Sequence, residues 1–129
     1  MWNFHTVLLG ALTEAPFHLE VTTLSPNQSI TIPHLNGYSY SYTIDYGDGT
    51  GLKTVTSYND ADCTHTYSTP SGYTVTIKGT CPTLYVNNTG TLKTALTKVL
   101  AWGNCKLLKL NFNGCSNLVE LPTNDFDRG

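Results

Sequence analysis

The sequence is poor in charge, and basic residues are especially few. Charged residues make up 12% of the 129 residues, with seven Lys and Arg against nine Asp and Glu, so the formal net charge is -2. Nucleic-acid-binding modules usually carry a dense basic patch that contacts phosphates. The composition therefore argues against a nucleic-acid partner. It also suits long surface helices poorly, since such helices are usually rich in Glu, Lys and Ala.

Signatures of common catalytic and cofactor sites are also missing. The sequence has no phosphate loop, dinucleotide fingerprint, nucleophile elbow or kinase motif. It has no CxxC pair, and none of its four histidines has the HxxxH spacing of a zinc site. Paired carboxylates for glycoside hydrolysis leave no such signature, but the acidic residues here fall in turns and tails. We predict a protein that is not an enzyme and has no catalytic, cofactor-binding or metal-binding residues.

No membrane span is predicted at the N-terminus, where the apolar stretch covers only residues 7–12. A spanning helix needs about 20 apolar residues. No Lys or Arg precedes the stretch, which disfavours a secretion signal. We predict that residues 1–15 form an N-terminal arm that docks on a partner subunit. The candidate contact residues in it are Trp2, Phe4, Leu8 and Leu9.

The strongest positive signal is the alternation of apolar and polar residues, which is typical of half-buried strands. The longest alternating stretch covers residues 38–46, and others cover 17–21, 30–32 and 73–78. Shorter runs cover 52–56 and 83–86. Several short strands separated by turn residues predict an antiparallel β-sandwich.

The long alternating stretch carries a row of aromatic side chains with two interpretations. Tyr42, Ile44 and Tyr46 are predicted to face the core. Tyr38 and Tyr40 are left open between the core and the surface. If their rings reach solvent, they are candidates for contact with a glycan or a protein partner.

A glycine-rich turn follows this row, with three glycines between residues 47 and 51. Glycine makes positive φ angles inexpensive, so the chain is predicted to reverse here. Aspartate side chains can lock such a turn by accepting backbone N–H bonds. The alternative is a calcium site that also uses Asp60 and Asp62, although calcium needs about six to eight oxygens. The predicted structural turn residues are Asp45, Gly47, Asp48 and Gly49.

From residue 91 the pattern is ambiguous between a helix and a strand, and a strand at 98–102 is favoured. After it comes a partial repeat with the spacing LxxLxFxxCxxLxxL, which is typical of solenoid coils with their apolar residues inward. One coil cannot bury its own apolar face, so it must lean on the sandwich, a partner or further repeats. The repeat residues are Leu107, Leu110, Phe112, Cys115, Leu118 and Leu121.

The four cysteines have two interpretations. Cys63 and Cys81 lie on either side of one predicted strand and could be bridged, although free buried thiols are the default prediction. Cys105 and Cys115 fall in the repeat and are predicted to be small buried hydrophobes.

Residues 42–50 (YTIDYGDGT), followed by THTY at 64–67, Pro70 and GYTVTIKG at 72–79, resemble a PKD domain. In that family an aromatic strand ends in an Asp-x-Gly-Asp-Gly turn, with a His-x-Tyr and a Pro-Gly-x-Tyr-x-Val strand after it. Tyr46 stands where Trp or Phe is usual, and Ser71 interrupts the Pro-Gly pair. The resemblance covers roughly residues 16–80.

Residues 99–104 and 112–122 resemble the BspA-type leucine-rich surface proteins, in which a PKD-like domain often leads into repeats. The resemblance implies an all-β fold: a PKD/immunoglobulin-like antiparallel β-sandwich at 16–90, then a partial leucine-rich repeat segment and tail at 91–129. Members occur in bacterial adhesins and in phage structural proteins. We therefore expect a virion component that docks on other virion proteins and itself forms a homo-oligomer. The alternatives are a bacterial surface adhesin fragment and a carbohydrate-binding module.

Overall fold

The computed structural model describes residues 15–123, and this part of the chain is mostly β-structure. The all-β prediction is confirmed. The four arm residues proposed for partner contact, Trp2, Phe4, Leu8 and Leu9, lie outside the described residues, as does the tail at 124–129. Between residues 15 and 123, no helix is long and apolar enough to cross a membrane.

Within residues 15–123, the chain forms nine strands and one short α-helix, and a 3₁₀ turn precedes β5. They are β1 (Phe17–Thr22), β2 (Gln28–Thr31), β3 (Ser41–Asp45), β4 (Leu52–Val55), the 3₁₀ turn (Ala61–Cys63), β5 (Thr64–Tyr67), β6 (Gly72–Thr80), β7 (Thr83–Tyr85), α1 (Leu92–Ala95), β8 (Leu96–Ala101) and β9 (Lys109–Asn111).

Five strands form one antiparallel sheet in the order β4-β3-β6-β1-β8. Alternation decides which face of each strand is buried: Phe17, Leu19 and Val21 of β1 are buried, while the residues between them are half-exposed. The same rule orients β3 and β6. The alternation seen in the sequence therefore marks the inner face of this sheet.

A second antiparallel ladder, β2–β5, covers that inner face. Its Ile30 and Tyr67 are buried in the same core as Leu19, Ile44 and Ile77 of the larger sheet. The two layers therefore share one apolar interior, in a sandwich-like arrangement. Burial of these side chains is the main stabilising contribution in such an interior.

The strand predicted over residues 38–46 is shorter than its alternation suggests, because β3 covers only Ser41–Asp45. Gly37 has a φ of +99°, so the preceding segment turns instead of pairing. Tyr40 and Tyr46 nevertheless stay buried on either side of the strand. Apolar and polar residues alternate beyond the ends of β3 because side chains outside the ladder are also buried in the core.

The ambiguous segment after residue 91 forms a helix and then a strand. The single turn α1 buries Leu92 and Ala95, and β8 follows directly. The predicted strand at 98–102 is confirmed, although β8 starts two residues earlier and ends at Ala101. β8 pairs with β1, so this segment does lean on the sandwich.

The last third of the described chain forms two stacked coils, the first coil at residues 81–103 and the second coil at 104–123. β7 and β9 pair in parallel, with Leu84 beside Leu110. A parallel bridge joins Lys98 to Glu120. Parallel stacking of successive turns is the geometry of a solenoid.

The predicted domain boundary at residue 90 falls inside the first coil. β7 lies on the sandwich side of this boundary, but its ladder partner is β9 of the second coil. β8 lies on the repeat side, but it is an edge strand of the five-stranded sheet. Lys98 contributes to this connection, because its ammonium lies 3.6 Å from a carboxylate oxygen of Glu20 on β1 and 3.7 Å from one of Glu120.

The glycine turn offers a stability test with an internal control. Gly47 and Gly49 both have positive φ, +85° and +82°. A Cβ at Gly47 would overlap the Thr74 carbonyl oxygen, whereas a Cβ at Gly49 would meet nothing within 4 Å. We expect Gly49→Ala to lower the free energy of unfolding by about 1 kcal/mol. Gly47→Ala is expected to cost several kcal/mol, on the order of 3 or more.

Chemical denaturation of both variants measures the difference. Equal losses would contradict the close approach of the turn to β6.

Candidate functional site

The acidic side chains of the glycine turn are occupied by bonds within the protein. Asp45 accepts a hydrogen bond from the Gly47 amide at 2.8 Å. Asp48 accepts one from the Thr50 hydroxyl at 2.6 Å, and its other oxygen lies 2.7 Å from Nε2 of His65. These bonds fit the structural role predicted for the turn residues Asp45, Gly47, Asp48 and Gly49.

His65 joins this turn to the core. Its ring stacks on Tyr46 at a centroid distance of 4.3 Å. The Tyr67 hydroxyl donates to the Tyr46 carbonyl at 2.8 Å. Burial pushes the pKa of the Asp48 carboxyl upward, but the hydrogen bonds from Thr50 and His65 outweigh it and hold that pKa below its ordinary value. The carboxylate is thus kept charged as part of the turn.

Asp60, one of the acidic residues of the calcium alternative, is bonded within the protein. Asp60 accepts from the backbone amides of Thr56 at 2.9 Å and of Asp62 at 3.0 Å, and so caps the 3₁₀ turn. Among residues 15–123, no group of three or more His, Cys, Asp or Glu side chains is placed to hold a metal ion.

A buried polar cluster around His34 was not anticipated from the sequence. Nδ1 of His34 lies 2.6 Å from the Thr83 carbonyl oxygen, and Nε2 lies 2.7 Å from the Tyr42 hydroxyl. A neutral ring with its proton on Nδ1 satisfies both bonds, since Nε2 then accepts from Tyr42. The Tyr40 hydroxyl joins the cluster by bonding the Thr83 hydroxyl at 2.7 Å.

This cluster joins the loop before β3 to the start of the first coil. Burial lowers the pKa of His34 despite the bond to Thr83, and burial raises the pKa of the Tyr42 hydroxyl well above its ordinary value. Both groups therefore stay neutral at physiological pH. An isolated histidine between Pro33 and Leu35 gives no spacing signal, so only the fold could reveal this cluster.

Two surface grooves are lined by residues of the described part of the chain. One, of about 230 Å³, lies over β3 and β6 beside Thr43 and Lys78. The other, of about 310 Å³, lies between Leu24 and Asn117. Among the described residues, no His, Cys, Asp or Glu side chain lines either groove.

The tyrosines proposed as surface platforms occupy different environments. Tyr40 is only 5% exposed, so its candidacy for partner or glycan contact is wrong: its hydroxyl is committed to Leu35 and Thr83. Tyr38 is partly buried and packs against the core. The predicted core positions Tyr42, Ile44 and Tyr46 are confirmed.

The second coil exposes four large apolar side chains, and we call this surface the coil-2 face. Leu110 is 37% exposed, although Leu84, its ladder partner in the first coil, is fully buried. Leu121, one residue beyond the Lys98–Glu120 bridge, is 50% exposed, whereas Val99 is fully buried. The members of the coil-2 face are Leu108, Leu110, Val119 and Leu121.

This surface corrects the prediction that the repeat residues point inward. Leu107, Phe112 and Leu118 do pack partly against the core. Leu110 and Leu121 do not become buried, because no further coil among residues 15–123 stacks on them. The spacing of the apolar residues does not report whether a neighbouring coil is present to cover them.

The cysteines are all free, so the bridge between Cys63 and Cys81 is not formed. Cys105 is buried as predicted, and its carbonyl accepts from the Cys81 amide at 2.8 Å. Cys115 is only partly buried, since it lies in the outer coil.

The His34 cluster predicts an acid-sensitive fold. The folded pKa of His34 lies below the ordinary value of 6.5, so protonation favours the unfolded chain. The stability from the neutral ring is present above about pH 6.5 and is lost as the pH falls below it. We expect His34→Gln to be less stable at pH 7.5 by about 1–3 kcal/mol and to lose less on acidification to pH 5.5.

Urea denaturation at both pH values gives this comparison. His18→Gln, on the half-exposed side of β1, serves as the control for replacing a histidine. An identical pH dependence in His34→Gln would contradict the assignment.

The Asp48 pair predicts a second, more acidic window. Its depressed pKa means that the charged carboxylate contributes stability above the unfolded value of about 3.8, and that this stability is lost as the pH falls through the lower folded pKa. We expect Asp48→Asn to lower the free energy of unfolding by on the order of 1 kcal/mol at pH 7. The deficit should shrink at pH 3, as measured by thermal unfolding; a deficit unchanged at pH 3 would rule out the charge as its cause.

Comparison of the chain with protein-family models, with curated proteins and with solved structures finds no match.

Proposed function

We propose that this chain is a non-enzymatic structural protein of a phage particle, a capsid decoration, head fibre or tail-associated protein that docks on other virion subunits. The observation that carries the proposal is the coil-2 face. Exposed Leu and Val side chains beside a strand edge that no described strand pairs with are the chemistry of a protein contact. A rigid β-scaffold that ends in such a surface suits assembly better than small-molecule chemistry.

The finer fold assignment supports the same proposal. A PKD-type sandwich is favoured by the way the Asp48 turn is tied to His65, the histidine of the His-x-Tyr sequence. A BspA-type coil is favoured by the stacking offsets, which are 26 residues at Leu84–Leu110 and 22 residues at Lys98–Glu120. Both offsets fall in the 20–29-residue range of leucine-rich repeats.

The stacked coils also favour a second candidate, a fragment of a BspA-like bacterial surface adhesin. In that case the sandwich is a spacer, and the coils begin a longer binding array. The third candidate, a carbohydrate-binding module, loses one of its two proposed platforms because Tyr40 is buried.

Fractionation of the source culture separates these functions. Phage particles are collected by density-gradient centrifugation and probed with antiserum against the purified chain. We expect the protein to co-sediment with DNA-containing particles, because a virion component is bound in stoichiometric amounts.

An antiserum against a cell-envelope protein of the same culture is the control for contamination. Recovery of the chain only in the envelope fraction would overturn the virion proposal and favour the adhesin. Absence from both fractions would reject both surface roles.

A further inference from the structure

We propose that the coil-2 face is the docking site for the N-terminal arm, residues 1–14, of a neighbouring copy of this chain. The inference rests on the proposed function and names one partner for its contact surface. It is carried by an uncovered strand edge and an apolar segment that each copy contains.

The acceptor is the edge of β9 that faces away from β7. β9 pairs with β7 along one edge, and no strand of the described part pairs with its other edge. Further along the coil, Val119 donates to the Thr97 carbonyl at 2.9 Å, so the first coil occupies that side as well. The opposite edge is left with backbone groups and exposed Leu and Val side chains, which an added strand can cover.

The arm has the chemistry that this edge requires. Residues 7–12 (VLLGAL) are apolar, and Trp2 and Phe4 add two large aromatic side chains. Glu14 is the only charged side chain in residues 1–14. The C-terminal tail is a poor alternative, because three of the six residues at 124–129 are charged. The arm is therefore the segment of this chain that matches the coil-2 face.

Ala15, the residue that directly follows the arm, is held against Asn104 of its own chain. The Ala15 amide donates to the Asn104 side chain at 2.7 Å, and the Asn104 amide donates to the Ala15 carbonyl at 3.0 Å. Gly103 fits below this contact, since a Cβ there would overlap the carbonyl oxygens of Ala15 and Pro16. Pro16 also restricts Ala15 to extended conformations.

The arm is long enough to reach a neighbouring copy. It leaves its own chain at the Asn104 contact, and 14 residues extend up to about 46 Å. Each copy then has one donor arm and one acceptor edge. Such contacts are head-to-tail, and they close into a ring or continue as a fibre.

The test separates donor from acceptor in two variants. One lacks residues 2–14, and the other carries Leu110→Lys and Leu121→Lys. Light scattering coupled to size-exclusion chromatography should give the intact chain a mass at least twice its 14.1 kDa and each variant the mass of a monomer. An equimolar mixture of the variants should form a 1:1 dimer, because one intact arm meets one intact edge.

The matched control is Leu24→Lys with Leu52→Lys, two leucines that are 83% and 68% exposed outside the second coil. This variant should assemble like the intact chain. If the double coil-2 variant does not fold, a labelled peptide of residues 1–14 is titrated into the arm-deleted protein, and saturable binding is expected.

A monomeric intact chain, or a mixture that forms no dimer, would overturn the proposal. If hydrogen exchange at residues 108–121 also quickens on arm deletion in that monomer, the arm covers its own face. Either result leaves co-sedimentation with particles to be decided separately, so failure of this inference is distinguishable from failure of the virion role.

Discussion

The architecture depends on strand β1 being paired along both of its edges. On one side its six residues match β6 from Phe17–Ile77 to Thr22–Gly72, and on the other side it pairs with β8. Main-chain hydrogen bonds thus continue from the sandwich into the first coil, with register shifts in the β1–β8 ladder at His18–Leu19 and Glu20–Val21. Without β8 in this position, the coils would have only side-chain packing to hold them, and an isolated coil cannot bury its own apolar residues.

A buried polar cluster makes the same junction specific. His34 and Tyr40 both bond to Thr83, the first residue of β7, and Tyr42 bonds to His34. Apolar side chains alone would tolerate several orientations of the first coil, whereas these donors and acceptors are all satisfied in one arrangement. Among the described residues, no buried side-chain nitrogen or oxygen lacks a partner. The cluster therefore joins the loop before β3 to the first coil in a defined orientation.

Much of the core could be predicted from alternation, because a two-residue period reports directly which side of a strand is buried. Phe17, Ile44 and Val75 follow that rule. The glycine turn was predictable for a similar reason, since closely spaced glycines and aspartates have few other structural uses. Strand ends were less accessible, as the short β3 shows: Tyr40 is buried outside the ladder, which alternation cannot distinguish from burial within it.

The candidate contact surface was the least predictable part. The repeat spacing reports which residues of a coil would face its neighbours, but it does not report whether a neighbour is present. Leu84 and Leu110 occupy paired positions and differ only in what lies beyond them. The His34 cluster was missed for another reason: its members come from separate parts of the sequence, and a single histidine has no pattern of its own.

The unequal attachment of the two coils has a consequence for how the molecule comes apart. Among the described residues, strand pairing of the second coil is limited to the three-residue β7–β9 ladder and one isolated bridge, while β1, β3 and β6 lie within a five-stranded sheet. Local opening starts where few buried contacts oppose it. Fraying is therefore expected to begin at the second coil and to leave the sandwich intact. A partner bound to the second coil would then first raise the hydrogen-exchange protection of the least stable part of the chain.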